Sequence, residues 1–281
     1  MKRIIVGMDF SKGSLSALKY ALRFASQSNM DIRMVWVDKL ASSETIFSHH
    51  SDNKGRTEAK LGFGKLIDKY SKKEGLGKLD YKLLKGKVWD QLSKHAEDFK
   101  ADVIIVGTHG ITGYEEYWIG SNANRIILYA KCPVISVKYN YDEDHGINKI
   151  IVPIDNTSDT IQKLPYTVKL AKVFNSEVIL LGIYTTSLKS VNRKVDATME
   201  QAVKYIEKYK VKFISETLHS ENISKVVISA AKKYEADLIS IVTEQESMKN
   251  NMLLGKYSNQ VVNSSDIPVL SIQTHSVFKL Q

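Results

Sequence analysis

Short apolar runs alternate along this chain with longer stretches whose apolar residues fall at helical spacing, and the alternation is regular. Arg3–Met8 reads as a strand, and Leu15, Leu18 and Leu22 then recur at the three-to-four spacing that places them on one helix face. IRMVWV (32–37) reads as a second strand, followed by a polar loop and a helix around Thr57–Lys73. LDYKLLK (79–85) and DVIIVG (102–107) read as the third and fourth strands, and a helix opening at Ser121 leads to a last strand, PVISV. The later part of the chain follows the same grammar. Lys149–Ile154, EVILLGIY (177–184), KVKFISETL (210–218), DLISIV (237–242) and PVLSI are its strands, with helices around Asp196–Tyr209 and from Lys256. Strands alternating with helices predict parallel sheets covered on both faces. Pro165 forbids an unbroken helix after the first of these later strands, so that helix is either kinked or begins near Leu164.

The two halves are copies. Residues 102–137 lie over residues 237–272 without a gap, placing Asp102 on Asp237, Gly120 on Gly255 and Pro133 on Pro268. Residues 4–22 lie over 150–168, placing Asp9 on Asp155. The expected fold is therefore α/β, with two repeated doubly wound domains, 1–140 and 147–281, joined by the polar stretch YNYDEDHGIN (139–148).

With 43% hydrophobic and 25% charged residues, 281 residues suffice for two buried cores. The single cysteine, Cys132, excludes an intramolecular disulfide and fits a reducing compartment. Gly7 and Asp9 interrupt the first apolar run, and no run reaches the length of a membrane span, so the expected location is the cytoplasm, away from the membrane. The net charge of +9 raises the question of nucleic acid. Most of it is lysine interleaved with acids on helical stretches, while arginine, the usual reader of bases and phosphates, is rare; solvated lysine-rich faces are the preferred reading over a nucleic-acid surface.

The chemistry concentrates in VGTHGITGYEEYWIGSN (106–122), which holds four glycines between 107 and 120. In a doubly wound sheet, ligands bind beyond the carboxyl ends of the strands where the winding reverses. Asp9 follows the first strand and Gly107 the fourth, so adjacency of those strands would set them across one crevice. Gly107 and Gly110 would let main-chain N–H groups approach an anion, and Gly120-Ser121 opens a helix whose free N–H groups favour phosphate. Ser121 would cap that helix or donate to a phosphate oxygen; Asp9 suits sugar hydroxyls or a base edge, or else caps the helix that follows it.

The spacing Gly107-x2-Gly110-x9-Gly120-Ser121, with VGMDFS near the start, ADVIIVGTHG before the loop and CPVISV closing the domain, resembles the ATP-binding motif of the universal stress protein family. The resemblance covers the whole first half and, more weakly, the second, as in tandem members. It implies five-stranded parallel sheets in the order 3-2-1-4-5. It also implies an adenine nucleotide, ATP or AMP, with Mg2+ accompanying ATP, held by the glycine loop, with Asp9 near the adenosine. On the same ground Val37 contacts adenine through its main chain, Asn122 contacts phosphate through its main chain, and the two domains pair within the chain, with a homodimer as a further option. The second half has Val242, Gln245 and Lys256 where the first has Gly107, Gly110 and Ser121, and is expected to be degenerate, serving as pairing partner or regulatory surface.

Other residues invite plainer readings. His109 is read as a solvated loop residue at least as readily as a phosphate contact. His49-His50 lack neighbouring ligands for a metal, and Cys132 before Pro133 reads as a packed thiol. GFGK (62–65) lacks the spacing of a phosphate-binding Walker loop and lies in a helical run; Trp89 and Trp118 read as core or interface aromatics. No HxGH or SGGxDS signature is present and no cationic clamp accompanies the loop, so binding and signalling to an unidentified protein partner is preferred over catalysis. A nucleotide-free tandem interaction module and a slow ATPase remain the alternatives.

Overall fold

The computed structural model describes residues 1–38, 49–108, 119–141, 146–157, 159–243, 245–248 and 251–274. The chain divides into two compact units, Met1–Asp142 and Glu143–Gln281.

The first unit runs β1 (Arg3–Gly7), α1 (Lys12–Ser26), β2 (Asp31–Asp38), α2 (His49–Tyr70), β3 (Leu79–Lys85), α3 (Val88–Asp98), β4 (Val103–Gly107), α4 (Ser121–Tyr129) and β5 (Val134–Val137). Its strands are parallel in the order β3-β2-β1-β4-β5. The central strand β1 pairs Ile4 with Ile32 of β2 on one side and with Val103 of β4 on the other, so the winding reverses between β1 and β4. Ile4, Ile5, Val6, Ile104 and Ile105 are wholly enclosed, as strands covered on both faces require.

The second unit repeats this plan with β6 (Lys149–Ile154), α5 (Leu164–Phe174), β7 (Glu177–Tyr184), α6 (Lys189–Lys208), β8 (Phe213–His219), α7 (Ile223–Lys233), β9 (Leu238–Thr243), β10 (Gln245–Met248), β11 (Asn251–Leu254), α8 (Lys256–Ser264) and β12 (Val269–Gln273). Strands β8-β7-β6-β9-β12 form the same parallel order. A short 3-10 turn, Thr160–Lys163, precedes α5, whose second residue is Pro165, where the missing N–H is not needed. This turn settles the choice left open by Pro165: the helix begins at Leu164. The pattern of apolar residues did not yield α3 and α7, nor the antiparallel β10-β11 ribbon that follows β9.

Two devices recur in both units. Asp102 accepts the backbone N–H groups of Lys2 and Arg3 at 2.6 and 3.1 Å, and Asp237 those of Asn148 and Lys149 at 2.6 and 2.8 Å. Each carboxylate thereby ties the start of the fourth strand to the start of the first. The second device is inverted in sign. Lys131 meets Glu97 at 2.8 Å, and at the equivalent positions Asp266 meets Lys232 at 3.3 Å. Both partners have exchanged charge, so the ion pair survives although neither residue type does.

Candidate functional site

A cavity of about 440 Å³ opens at the carboxyl ends of β1, β2 and β4 in the first unit, where the winding reverses. That volume lies in the range of small-molecule sites. Apolar residues line one part of it: Val35 and Val37 from β2, Val88 and Leu92 from α3, and Val106 from β4. Asp9, Gly107, Gly120, Ser121 and Asn122 line the rest. Six of the seven residues singled out from the sequence thus border one cavity. The seventh, Gly110, lies outside the described residues, as do His109 and Trp118.

The floor on the β4 side comes from a closed loop base. Thr108 donates its N–H to Val137 O at 2.9 Å and accepts the N–H of Gly120 at 2.7 Å, which brings the start of α4 back beside the end of β4. Gly120 is the N-cap of α4 and supplies no side chain to cap it. The N–H groups of Ser121, Asn122 and Ala123 therefore have no partner within the helix, and together with the helix dipole they favour an anion. Ser121 is the first helical residue, one position beyond the N-cap, so it does not cap α4; its exposed hydroxyl is left for another partner.

The two described glycines of the motif differ in why they must be glycine. A β-carbon on Gly107 would fall 2.4 Å from the carbonyl carbon of Gly13 in α1, so Gly107 is required by close approach of the protein's own backbone. Among the described residues a β-carbon on Gly120 would meet Thr108 O alone, at 3.4 Å, and its φ of −58° is open to any residue. Among the described residues nothing gives Gly120 a steric reason to be glycine, and that position borders the cavity.

On the β1 side, Asp9 Oδ1 accepts the N–H of Ser11 at 3.0 Å, while Ser11 Oγ caps α1 by accepting from Ser14 N at 3.2 Å. The second unit builds the same turn, with Thr157 N donating to Asp155 Oδ1 at 2.9 Å. Asp9 therefore has a structural role shared by both units. What differs is access. Asp155 is 8% exposed and also accepts the Thr157 hydroxyl at 2.6 Å, whereas Asp9 is half-buried and borders the cavity.

Among the lining residues that escaped the sequence reading, Trp36 and Asp38 flank Val37 at the end of β2. Asp38 Oδ2 is enclosed without a hydrogen-bond donor among the described residues, with Arg56 Nη1 at 3.9 Å. An acid that ends a strand resembles any turn residue in the sequence, and only its placement in the cavity distinguishes it.

At the corresponding edge of the second unit the positions are filled. Val242 is 7% exposed, and Ser258 in the first turn of α8 donates its hydroxyl to Val242 O at 3.0 Å. Lys163 is enclosed in α5's approach, donating to Thr160 O and Thr160 Oγ1, at the position where the first unit has Ala17. Burial lowers its pKa to about 8, opposed by the charge of Asp155.

Elsewhere, GFGK (62–65) lies inside α2, and Trp89 packs on Tyr129 with ring centroids 4.7 Å apart. Burial pushes the Cys132 thiol up to about 12, leaving it protonated at neutral pH. No cluster of three metal-ligating side chains occurs among the described residues, and the side chains of His49 and His50 lie outside them. No helix among the described residues is long and apolar enough to cross a membrane.

Two doubly wound α/β units in tandem, the first with a glycine-bordered cleft at its switch point, define the class of protein. The chain belongs to the universal stress protein family, whose profile matches residues 1–138 and 146–273. A universal stress protein of Methanocaldococcus jannaschii is 30% identical over 145 residues, covering 49% of this chain and 82% of the relative. One from Mycobacterium tuberculosis is 27% identical over 195 residues, covering 68% of each chain. Among solved structures, a universal stress protein from Archaeoglobus fulgidus superposes with a TM-score of 0.77 at 17% identity, covering 97% of this chain and 98% of the other, which is a likeness of fold.

Proposed function

We propose that the first unit is a non-catalytic adenine-nucleotide sensor, binding ATP or AMP, and that the second is a copy that has given up the site. The observation that carries this reading is the cleft at the switch point of the first unit, bordered by Asp9, Gly107 and the Gly120-Ser121 start of α4. The first-turn N–H groups of that helix have no partner within it, and Ser121, replaced by Lys256 in the second unit, adds an exposed hydroxyl beside them. Phosphate is the ligand that such N–H groups favour. The two acids, Asp9 and Asp38, border the cavity and would repel phosphates, so the nucleoside is assigned to their end, with Val35, Val37 and Leu92 against the base. Ser121 would donate its hydroxyl to phosphate, and Asn122 its main-chain N–H. Magnesium, where ATP is the ligand, would be held chiefly by the phosphates.

Occupancy of the cleft would then alter the surface around it, and a protein partner would read the change. Among the described residues no cationic clamp accompanies Ser121 in the cavity lining, which supports binding over phosphoryl transfer. The test is calorimetric titration with ATP and with AMP, beside Gly110→Gln, which installs the second unit's residue. Saturable binding near one nucleotide per chain, abolished in the variant, is expected. Absence of heat from the parent protein would refute the reading and favour a nucleotide-free interaction module. ATP turnover that persists through purification and disappears in Asp9→Asn would make the protein a slow ATPase instead.

A further inference from the structure

The residue following Asp9 has an unusual backbone. Phe10 has a φ of 61°, the left-handed region that bulky side chains avoid, so surrounding structure must hold it there. Its ring lies against α2. Phe10 and Phe63 have centroids 4.9 Å apart, and Phe63, wholly enclosed, stacks on Tyr81 of β3 at 4.8 Å with planes 10° apart. The ring can sit there because of Gly62: a β-carbon on Gly62 would fall 2.7 Å from Phe10 Cε1 and 3.0 Å from Cζ. Glycine in a helix interior lowers stability, and here the sequence accepts that loss at the point where the ring is seated. Gly64, two residues on, has nothing within 4 Å of its would-be β-carbon.

The second unit is an internal control. It keeps the aspartate and its turn, but Asn156 stands in place of Phe10 without the left-handed backbone, and α6 contains no glycine. There the aspartate is buried and doubly engaged by Thr157; in the first unit Asp9 borders the cavity. We propose that Phe10, seated on Gly62 and Phe63, is the positioning residue that holds the Asp9 carboxylate toward the cleft for a hydroxyl or amine of the nucleoside. This rests on the nucleotide reading above. The φ of Phe10 sets the plane of the peptide that follows Asp9, and the stack on Phe63 and Tyr81 anchors that plane to a helix and a strand away from the ligand.

The test is calorimetric titration with ATP of the full chain and of Gly62→Ala, Gly64→Ala and Phe10→Gly, each also in an Asp9→Asn background. Alanine improves helix propensity at both glycines, which at Gly62 offsets part of the cost of displacing the Phe10 ring; circular dichroism confirms that each variant is folded at the titration temperature. Gly62→Ala and Phe10→Gly are expected to bind about tenfold more weakly, the scale of one misdirected hydrogen bond to a charged group. Gly64→Ala is expected to match the parent. Because Phe10 acts through Asp9, the tenfold loss should vanish in the Asp9→Asn background. Parent-like affinity in both Gly62→Ala and Phe10→Gly, or a loss that persists without the carboxylate, overturns the inference while leaving the nucleotide site intact. A parent that binds no ATP overturns the nucleotide reading itself, and this inference with it.

Discussion

Replacing Lys163 by methionine should remove a pH dependence that belongs to the second unit alone. Lys163 is 2% exposed and its ammonium has Thr160 O and Thr160 Oγ1 as acceptors, with Asp155 as the opposing charge. Burial lowers its pKa from 10.5 to about 8. Between those two values the unfolded chain is protonated and the folded one is not, so the unfolded state binds more protons and stability rises with pH. Below about pH 8 both states are protonated and the full burden of the enclosed charge is present. Integrating this linkage gives a gain of about 2 kcal/mol for the parent between pH 7 and 9.5. Lys163→Met keeps the unbranched stem and drops the charge, so its stability should lack that slope. Tryptophans 36, 89 and 118 all lie in the first unit, so fluorescence follows that unit while far-ultraviolet circular dichroism includes the second. Urea unfolding at pH 7, 8, 9 and 9.5 should show the dichroism transition of the parent moving to higher urea relative to the variant, with the fluorescence transitions of both coinciding. Parent and variant tracking each other within about 0.5 kcal/mol across this range would refute the view that a buried ammonium burdens the second unit.

Further outcomes follow from the geometry. Gly107→Ala should destabilise the first unit by about 1–3 kcal/mol in urea unfolding, because its β-carbon meets the Gly13 backbone. Gly120→Thr, an equally good N-cap with a β-branched side chain, should leave that midpoint within about 0.5 kcal/mol of the parent yet abolish ATP binding by calorimetry; equal stability losses in the two glycine variants would remove the distinction between them. At pH 7.5 the native protein should resist thiol alkylation at Cys132, followed by mass spectrometry, until urea exposes it, since the thiolate is the reactive form.

The fold was legible because its information is periodic. Enclosed strands such as β1 and β4 are continuous apolar runs, and the gapless match of 102–137 with 237–272 carries both halves at once. α3 was harder to read, since only Leu92 and Ala96 are fully enclosed along it. The β10-β11 ribbon has strands of four residues each, too short for alternation to stand out. At the site, spacing brought Asp9, Gly107 and Gly120 to one cavity, but spacing could not tell a glycine required by α1 from one that protein atoms leave unconstrained. Nor could it explain GFGK. Gly62 is small for the sake of a ring 52 positions earlier in the chain, a contact that exists only once α2 packs beside the β1 loop.

Comparison of the two units separates scaffold from site within a single chain. The aspartate ties at Asp102 and Asp237 persist unchanged, and the ion pair between α3 or α7 and the turn after α4 or α8 persists with both charges exchanged, so selection has kept the interaction rather than the residues. The Asp9 and Asp155 turns persist as well, which means that this aspartate alone is no sign of a ligand. The features confined to the first unit are Phe10 on its glycine seat, Ala17 in place of a buried lysine, and a first turn of α4 that no serine hydroxyl ties down as Ser258 ties α8. The first turn of α4 borders the cleft through Ser121, Asn122 and Ala123, and Phe10 directly follows the lining residue Asp9. A scaffold drifting under folding constraints alone would scatter such differences over the surface. On the proposed reading, a site retained in one copy and released in the other would leave such differences near one strand edge.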